Sequence, residues 1–253
     1  MPRTYFLFFR PFCVLIAIAG LAACTVGDPS LSINDPYEAT NRQIHAFNKG
    51  LDRSALRPSG RVTDSIPREY TQPITNFADN VGLPAAVANG LLQADIGGAA
   101  TNTMRFLINT TVGIGGLFDP AGAIGLTEQK TDFGETLHVW GVGEGAYIEL
   151  PLLGPSNQRD AVGELVELLF DPLDQVGTAP QIAYGTYARA ADLAVNRGDL
   201  FETIDGVLYD SADSYEQARL IALQNRRFEL GQAAPAEDAI DPFAGDVSLE
   251  GFE

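Results

Sequence analysis

Apolar positions recur at intervals of three and four over most of this chain, and few stretches show the two-residue alternation of a half-buried strand. The first helical pattern follows Asn34-Asp35-Pro36. Asp35 is placed to cap free N–H groups, Pro36 suits the first helical position, and Glu38 lies three residues beyond the cap. Tyr37, Ile44, Phe47 and Leu51 would form the apolar face, with Asn41, Gln43 and Lys49 elsewhere. A partly basic, proline-bearing connector is expected over 53–73. Further helices are predicted over 74–80, 84–93, 96–109, 158–170, 179–196, 200–209 and 213–230, so the fold class is mainly α.

Residues 80–118 contain only two charged side chains, Asp95 and Arg105, in a chain that is 19% charged. Two readings stay open: a central core surrounded by other helices, or helices lying in lipid with apolar residues outward. Phe106, Leu107, Ile108, Val112, Ile114, Leu117 and Phe118 are the candidate membrane-embedded side chains. As one helix, residues 106–118 would reach only about 20 Å, short of the roughly 30 Å hydrocarbon core, so spanning is disfavoured. Gly113, Gly115 and Gly116 point to tight helix packing or to a re-entrant or interfacial bend.

Residues 136–150 hold two short β-prone runs around Gly141, Gly143 and Gly145, the pattern of a glycine-rich hairpin with a mobile tip. No Lys-Ser/Thr follows, which argues against a phosphate loop. A flap or gate over an apolar cavity fits better, with Trp140 and Tyr147 suited to a membrane boundary.

The N-terminus changes the setting. Arg3 and Arg10 precede an apolar run ending in Leu21-Ala22-Ala23-Cys24, with no acid before Asp28. This reads as a secretory signal with a lipobox, in which the Cys24 thiol accepts diacylglycerol. Ordinary cleavage after Ala19 and a retained anchor are the other readings. Thr25, rather than Asp, follows the cysteine, so the outer membrane is the expected destination. On the lipobox reading, residues 1–23 are a signal, 24–33 a tether, 34–230 the helical domain and 231–253 an acidic, disordered tail carrying Glu237, Asp238, Asp241, Asp246, Glu250 and Glu253.

The mature chain would carry 14 Lys and Arg against 33 Asp and Glu, a net −19. Such a surface repels nucleic acid and anionic membrane alike, so attachment must come from acyl chains and apolar surface. With Cys13 removed and Cys24 acylated, neither a disulfide nor a thiol ligand is expected. Catalytic chemistry is poorly supplied. His45 and His138 are the only histidines, and neither a Gly-x-Ser-x-Gly elbow nor a His-Glu-x-x-His spacing occurs, so no metal, cofactor or enzyme activity is expected. His45 reads as a surface or packing residue, and Glu164 with Glu167 as a solvated helix face.

Several ordered motifs resemble one family. They are Asn34-Asp35-Pro36-Tyr37-Glu38-Ala39-Thr40-Asn41-Arg42, Asn76-Phe77 with Pro84 through Asp95, Arg105-Phe106-Leu107-Ile108-Asn109-Thr110, Gly113 to Asp119, Phe133-Gly134-Glu135-Thr136-Leu137 and Gly141-Val142-Gly143 through Pro151. Together, behind a lipobox, they resemble the MlaA (VacJ) phospholipid-binding lipoproteins. The resemblance implies a single disc-like helical domain lying in the periplasmic leaflet of the outer membrane, associated with a porin trimer. It implies an amphipathic channel that removes misplaced phospholipid from the outer leaflet and passes it to a soluble periplasmic phospholipid carrier. A porin-associated scaffold without lipid transfer is the alternative. On this resemblance residues 133–150 are the hairpin beside the channel, and Glu144 departs from the family by placing a charge there.

Overall fold

The computed structural model describes residues 33–170 and 179–232. Cys24, the expected signal segment, nearly all of the expected tether and the expected tail from 233 onward lie outside the described residues. Helix α1 spans Glu38–Leu51. A π-helical turn, Asp52–Leu56, joins it to α2, Arg57–Asp64. The long α3, Arg68–Leu92, leads to α4, Ile96–Thr111, and the short α5, Pro120–Ala123. Then come α6, Phe133–Val139, strands β1, Tyr147–Leu150, and β2, Gly154–Asn157, and α7, Gln158–Phe170. Helix α8, Ala179–Asp199, is followed by α9, Phe201–Asp205, a second π-helical turn, Gly206–Asp210, and α10, Ser214–Glu229.

The mainly helical expectation holds, with three local corrections. Asp35 caps no helix: its carboxylate is taken by Arg219 (2.5 Å), Tyr215 (2.5 Å) and Asn41 (2.9 Å), and α1 begins only at Glu38. The face of α1 is also reversed. Asn41 and His45 are buried while Tyr37 and Phe47 are exposed. Finally, the connector over 53–73 is helical. Pro58 has no N–H to return to the carbonyl of Ser54, and just before it the ladder widens so that the N–H of Arg57 reaches the carbonyl of Asp52. The predicted helices over 74–80 and 84–93 merge into α3, which carries Pro73 and Pro84 inside it.

Buried polar side chains hold the elements together. Asn41 clasps the hairpin by donating to the carbonyl of Tyr147 and accepting from the N–H of Glu149. His45 lies 3.2 Å from Glu149 and 3.1 Å from Ser214, so it is a packing residue. Arg197 joins Asp52 and Asp205, Asp205 is shared with Arg57, and the Tyr209 hydroxyl donates to Asp52 at 2.7 Å. At the other end, Asp160 receives Arg159 and Arg226, and Arg226 reaches Asp132. Burial works against the Asp160 charge, yet these arginines hold its carboxyl below the usual range. Two helix pairs approach on bare backbone. A Cβ at Gly163 of α7 would lie 2.5 Å from the N of Gly134 in α6, and one at Gly198 would press on Thr63 of α2.

The hairpin is real but displaced along the chain. β1 and β2 pair antiparallel, with Tyr147 opposite Asn157 and Leu150 opposite Gly154, so the turn is Pro151–Leu153 and not the glycine run. Residues 133–139 are helix because Asp132 accepts from the N–H of Glu135, a capping pair that overrides the β-prone composition.

Candidate functional site

Helix α4 is built inside out. Asp95 caps it by accepting from Gly98, and its inward residues are Gly98, Ala99, Asn102, Arg105 and Asn109. Both ends of the Asn102 side-chain amide grip Gln129, its NH₂ donating to the carbonyl at 2.8 Å and its oxygen accepting from the N–H at 3.0 Å. Arg105 donates to the carbonyl of Leu126 and to Asp119, and Asn109 bridges Asp119 and the N–H of Ala121. Burial would raise the Asp119 carboxyl, but the Gly122 N–H, Asn109 and Arg105 together hold it below the usual range. The polar face thus pins residues 119–129, and among the described residues nothing covers the apolar face.

That uncovered face carries the predicted residues. Leu107, Val112, Ile114, Leu117 and Phe118 are exposed, while Phe106 and Ile108 are half-buried. Met104, Ile96, Leu91 and Leu92 extend the same exposed apolar set. The core reading of residues 80–118 therefore fails for these side chains. Residues 106–118 are not one helix either. α4 stops at Thr111, and Ile114, Gly115 and Gly116 take positive φ (55°, 72° and 98°) in a turn closed by the Gly116 N–H on the carbonyl of Asn109.

Trp140, Gly141, Gly143 and Gly145 lie in the loop between α6 and β1. Gly141 has φ 88° and its N–H returns to the carbonyl of His138, ending α6 in the left-handed way glycine permits. The loop is tied down rather than loose: Glu144 pairs with Arg227 at 3.0 Å, and Ala146 donates to Gln158. Trp140 is exposed, with its ring N–H on the carbonyl of Leu92 and its ring edge-on to Phe133. Tyr147 corrects its expected boundary role. It is buried in β1 against Tyr215, and burial with the Glu149 hydrogen bond pushes its hydroxyl pKa up.

An apolar cavity is expected under the glycine-rich segment, but the sequence does not say which elements form it. Helices α3, α7 and α8 and the segments around Lys130 and Leu150 line a half-open cavity of about 1070 Å³, at the upper end for small-molecule sites. Its apolar wall includes Val81, Ala85, Ala88, Leu92, Leu165 and Leu168, and its polar groups include Asp79, Glu128, Lys130, Glu164, Glu167 and Arg189. Glu164 and Glu167 are therefore not a solvated face. Glu167 accepts from Asn89 (2.9 Å) and from the Phe133 N–H (2.7 Å), while Oε2 of Glu164 is buried without a partner. Burial, then Asp160, Asp132 and Glu167, push Glu164 up to about 7. Asp79 is exposed at the rim of the cavity, where partial desolvation, then Glu128 and Asp192, raise its carboxyl above the usual range. The signal that could have revealed the cavity is the run of small residues in α3, Gly82-Leu83-Pro84-Ala85-Ala86-Val87-Ala88, which cannot fill the space opposite α7.

This arrangement has a pH signature. Because Glu164 titrates higher in the fold than in the unfolded chain, the stability it contributes is fully present below about pH 4 and is lost as pH rises through about 7. Glu164→Gln is expected to raise the unfolding free energy by about 1–2 kcal/mol at pH 8, allowing for water in the cavity, and by nothing at pH 4. Denaturation at the two pH values checks it; equal effects at both would count against a strained Glu164 carboxylate.

The family model described as MlaA lipoprotein matches residues 33–229. The chain is 31% identical over 212 residues to the intermembrane phospholipid transport system lipoprotein MlaA of Escherichia coli K12, covering 81% of this chain and 82% of that one. It is 41% identical over 137 residues to a protein of Rickettsia felis, where the match spans about half of each chain (54% and 55%). A solved structure, determined in work on the structural basis for maintenance of bacterial outer membrane lipid asymmetry, superposes with TM-score 0.65 at 31% identity, covering 78% of this chain and 98% of that one.

Proposed function

This chain belongs to the MlaA lipoprotein family, and from that premise we propose that it is an outer-membrane lipoprotein that removes misplaced phospholipid from the outer leaflet and hands it to a periplasmic carrier. One observation carries the reading. Polar side chains take the inward face of α4, apolar ones face outward, and α3, which packs on α4, lines a cavity of about 1070 Å³ with an apolar wall and charged groups. A phospholipid crossing such a passage keeps its head group among polar groups and its tails against apolar ones, which lowers the barrier without a covalent step.

In this reading the exposed apolar side chains of α4 and the following turn lie in the periplasmic leaflet, and acyl chains on Cys24 hold them there at about 0.8 kcal/mol per buried CH₂. Mass spectrometry of the mature N-terminus checks the anchor, and an unmodified start at Gly20 sinks it. A porin trimer is the proposed neighbour in the membrane. Trp140 and the hairpin turn form the proposed gate, since Leu92, Phe133, Leu150 and Leu153 all line the cavity beside them. Gly141→Ala, which strains that junction, should then change outer-leaflet phospholipid without changing abundance.

The deciding experiment is lipid extraction from the detergent-purified protein. Phospholipid is expected with the wild type and is expected to be reduced in Ala85→Trp, whose indole obstructs the cavity. Lipid-free wild-type protein that still binds porin would instead leave the scaffold reading.

A further inference from the structure

We propose that the acidic segment 233–253 of this chain folds back along α10 and docks on a basic stripe formed by Lys49, Arg53 and Arg61. Acids outnumber bases 33 to 16 in the chain, and Arg42, Arg57, Arg68, Arg105 and Arg226 each hold at least one carboxylate. Lys49, Arg53 and Arg61, by contrast, form no ion pair among the described residues. Lys49 and Arg53 each lie 5.4 Å from the centre of the Tyr209 ring, beside Arg57 at 4.5 Å, and Arg61 lies 5.6 Å from the centre of the Phe201 ring. A cation over a ring face is attracted there without using its N–H groups, so these side chains are held in place with donors to spare. Arg53 and Arg61 are exposed. Like charges set side by side repel, and an anion seated on them relieves the repulsion.

The chain carries an anion that fits. Residues 233–253 hold Glu237, Asp238, Asp241, Asp246, Glu250 and Glu253 and no base, a composition that cannot build a core of its own and needs a partner surface to order on. The way back to the stripe runs along α10. Its last turn closes through Gly231 at φ 66°, with the N–H of Gln232 on the carbonyl of Arg227. Phe228 is 81% exposed and Ile221 46% exposed, and Ser214 lies seven residues further back on the same side of the helix. Ser214 in turn receives the Lys49 ammonium at 3.2 Å. Gln217, Gln224 and Asn225 keep that side uncharged. Ile240, Phe243, Val247 and Phe252 are interspersed with the acids of the segment, so apolar side chains can cover Phe228 and Ile221 while carboxylates meet the cations. Helix α10 is about 24 Å long and the stripe about 18 Å, well within the roughly 70 Å that the segment reaches when fully extended. A tethered anion also acts at a higher effective concentration than the same segment of a second copy.

The test places the photo-crosslinking residue p-benzoyl-phenylalanine at position 243 or 252 of the full-length lipidated protein in non-ionic detergent and maps the cross-links by mass spectrometry. Links within one chain to residues 49–61 and 214–228 are expected. Arg53→Gln with Arg61→Gln should lower their yield by about threefold to tenfold, the range for two exposed charge contacts, and so should added salt. Replacing the six acids of the segment by their amides, which leaves the helices untouched, should lower it at least as far. Links that fall elsewhere on the chain overturn the docking. Links that join two chains assign the stripe to a second copy and overturn the fold-back. A yield unmoved by the arginine variants, the amides and salt overturns the role of the stripe. Loss of the links when phosphatidylglycerol is added to the micelles at physiological salt assigns the stripe to an anionic lipid surface instead and overturns the proposal.

Discussion

Arg197→Met will lower the unfolding free energy by about 3–5 kcal/mol, the range for breaking a buried ion cluster from one side. Arg197 is 4% exposed, and its guanidinium lies 2.8 Å from Asp52 and 2.5 Å from Asp205. Removing it leaves two carboxylates facing one another where α8, α9 and the first π-helical turn meet. Arg57 and Tyr209 can answer only part of that charge. Lysine at 197 should restore little, because one ammonium cannot reach both acids in the forked geometry. Burial opposes the Asp205 charge, but Arg57 and Arg197 hold its pKa below the usual value, so this stability is present above about pH 4 and lost in acid. Denaturant unfolding in detergent at neutral pH measures the effect. A loss under about 1 kcal/mol would mean that water reaches the cluster and screens it.

Ile114→Asp is expected to have the opposite profile, with the fold retained and the membrane contact weakened by about 2.5–3.5 kcal/mol if the side chain sits at acyl depth, and by less nearer the interface. Ile114 is 65% exposed and has φ 55°. A β-branched residue in the left-handed region costs roughly 1–2 kcal/mol, whereas Asp and Asn tolerate it. An isoleucine that strains its backbone to face outward gains little from the described interior, and on the proposed lipid-facing reading the compensating contact is with acyl chains. Ile114→Asn isolates the two effects by keeping the side chain uncharged. It should stabilise the unlipidated domain by up to about 1 kcal/mol while reducing its binding to vesicles. Vesicle flotation with thermal melting decides between them. If both variants unfold and still float, Ile114 is a core residue and the outward face is wrongly placed.

How far the chain could be read beforehand varies by element. The 158–170 helix falls where the periodicity puts it, and α10 begins one residue after Asp213, whose carboxylate accepts from Tyr215 and Glu216. Asp35 offered an equally good cap on paper and forms none, because Arg219 and Tyr215, some 180 positions away, take its oxygens. The same kind of distant claim hid the candidate site. Glu164 and Glu167 have the spacing of a solvated face, and only the close packing of α7 on α6, allowed by Gly163 and Gly134, together with α3 across from it, turns that face toward a cavity.

Local chemistry along the sequence therefore determined the helical class, the family motifs, the charge-poor stretch from 80 to 118 and the glycines that must turn. These follow from interactions within about one helical turn or from composition, which neighbours in the chain suffice to express. The tertiary structure alone decided which face of each helix is inside. Periodicity reports that a helix has an apolar and a polar side, and it assumes that water is the outer solvent. Here Asn41, Asn102, Arg105 and Asn109 find partners far along the chain and go inward, so the apolar sides of α1 and α4 turn out. Buried polar groups must be satisfied wherever they lie, and those long-range hydrogen bonds set the orientation that the sequence pattern left open.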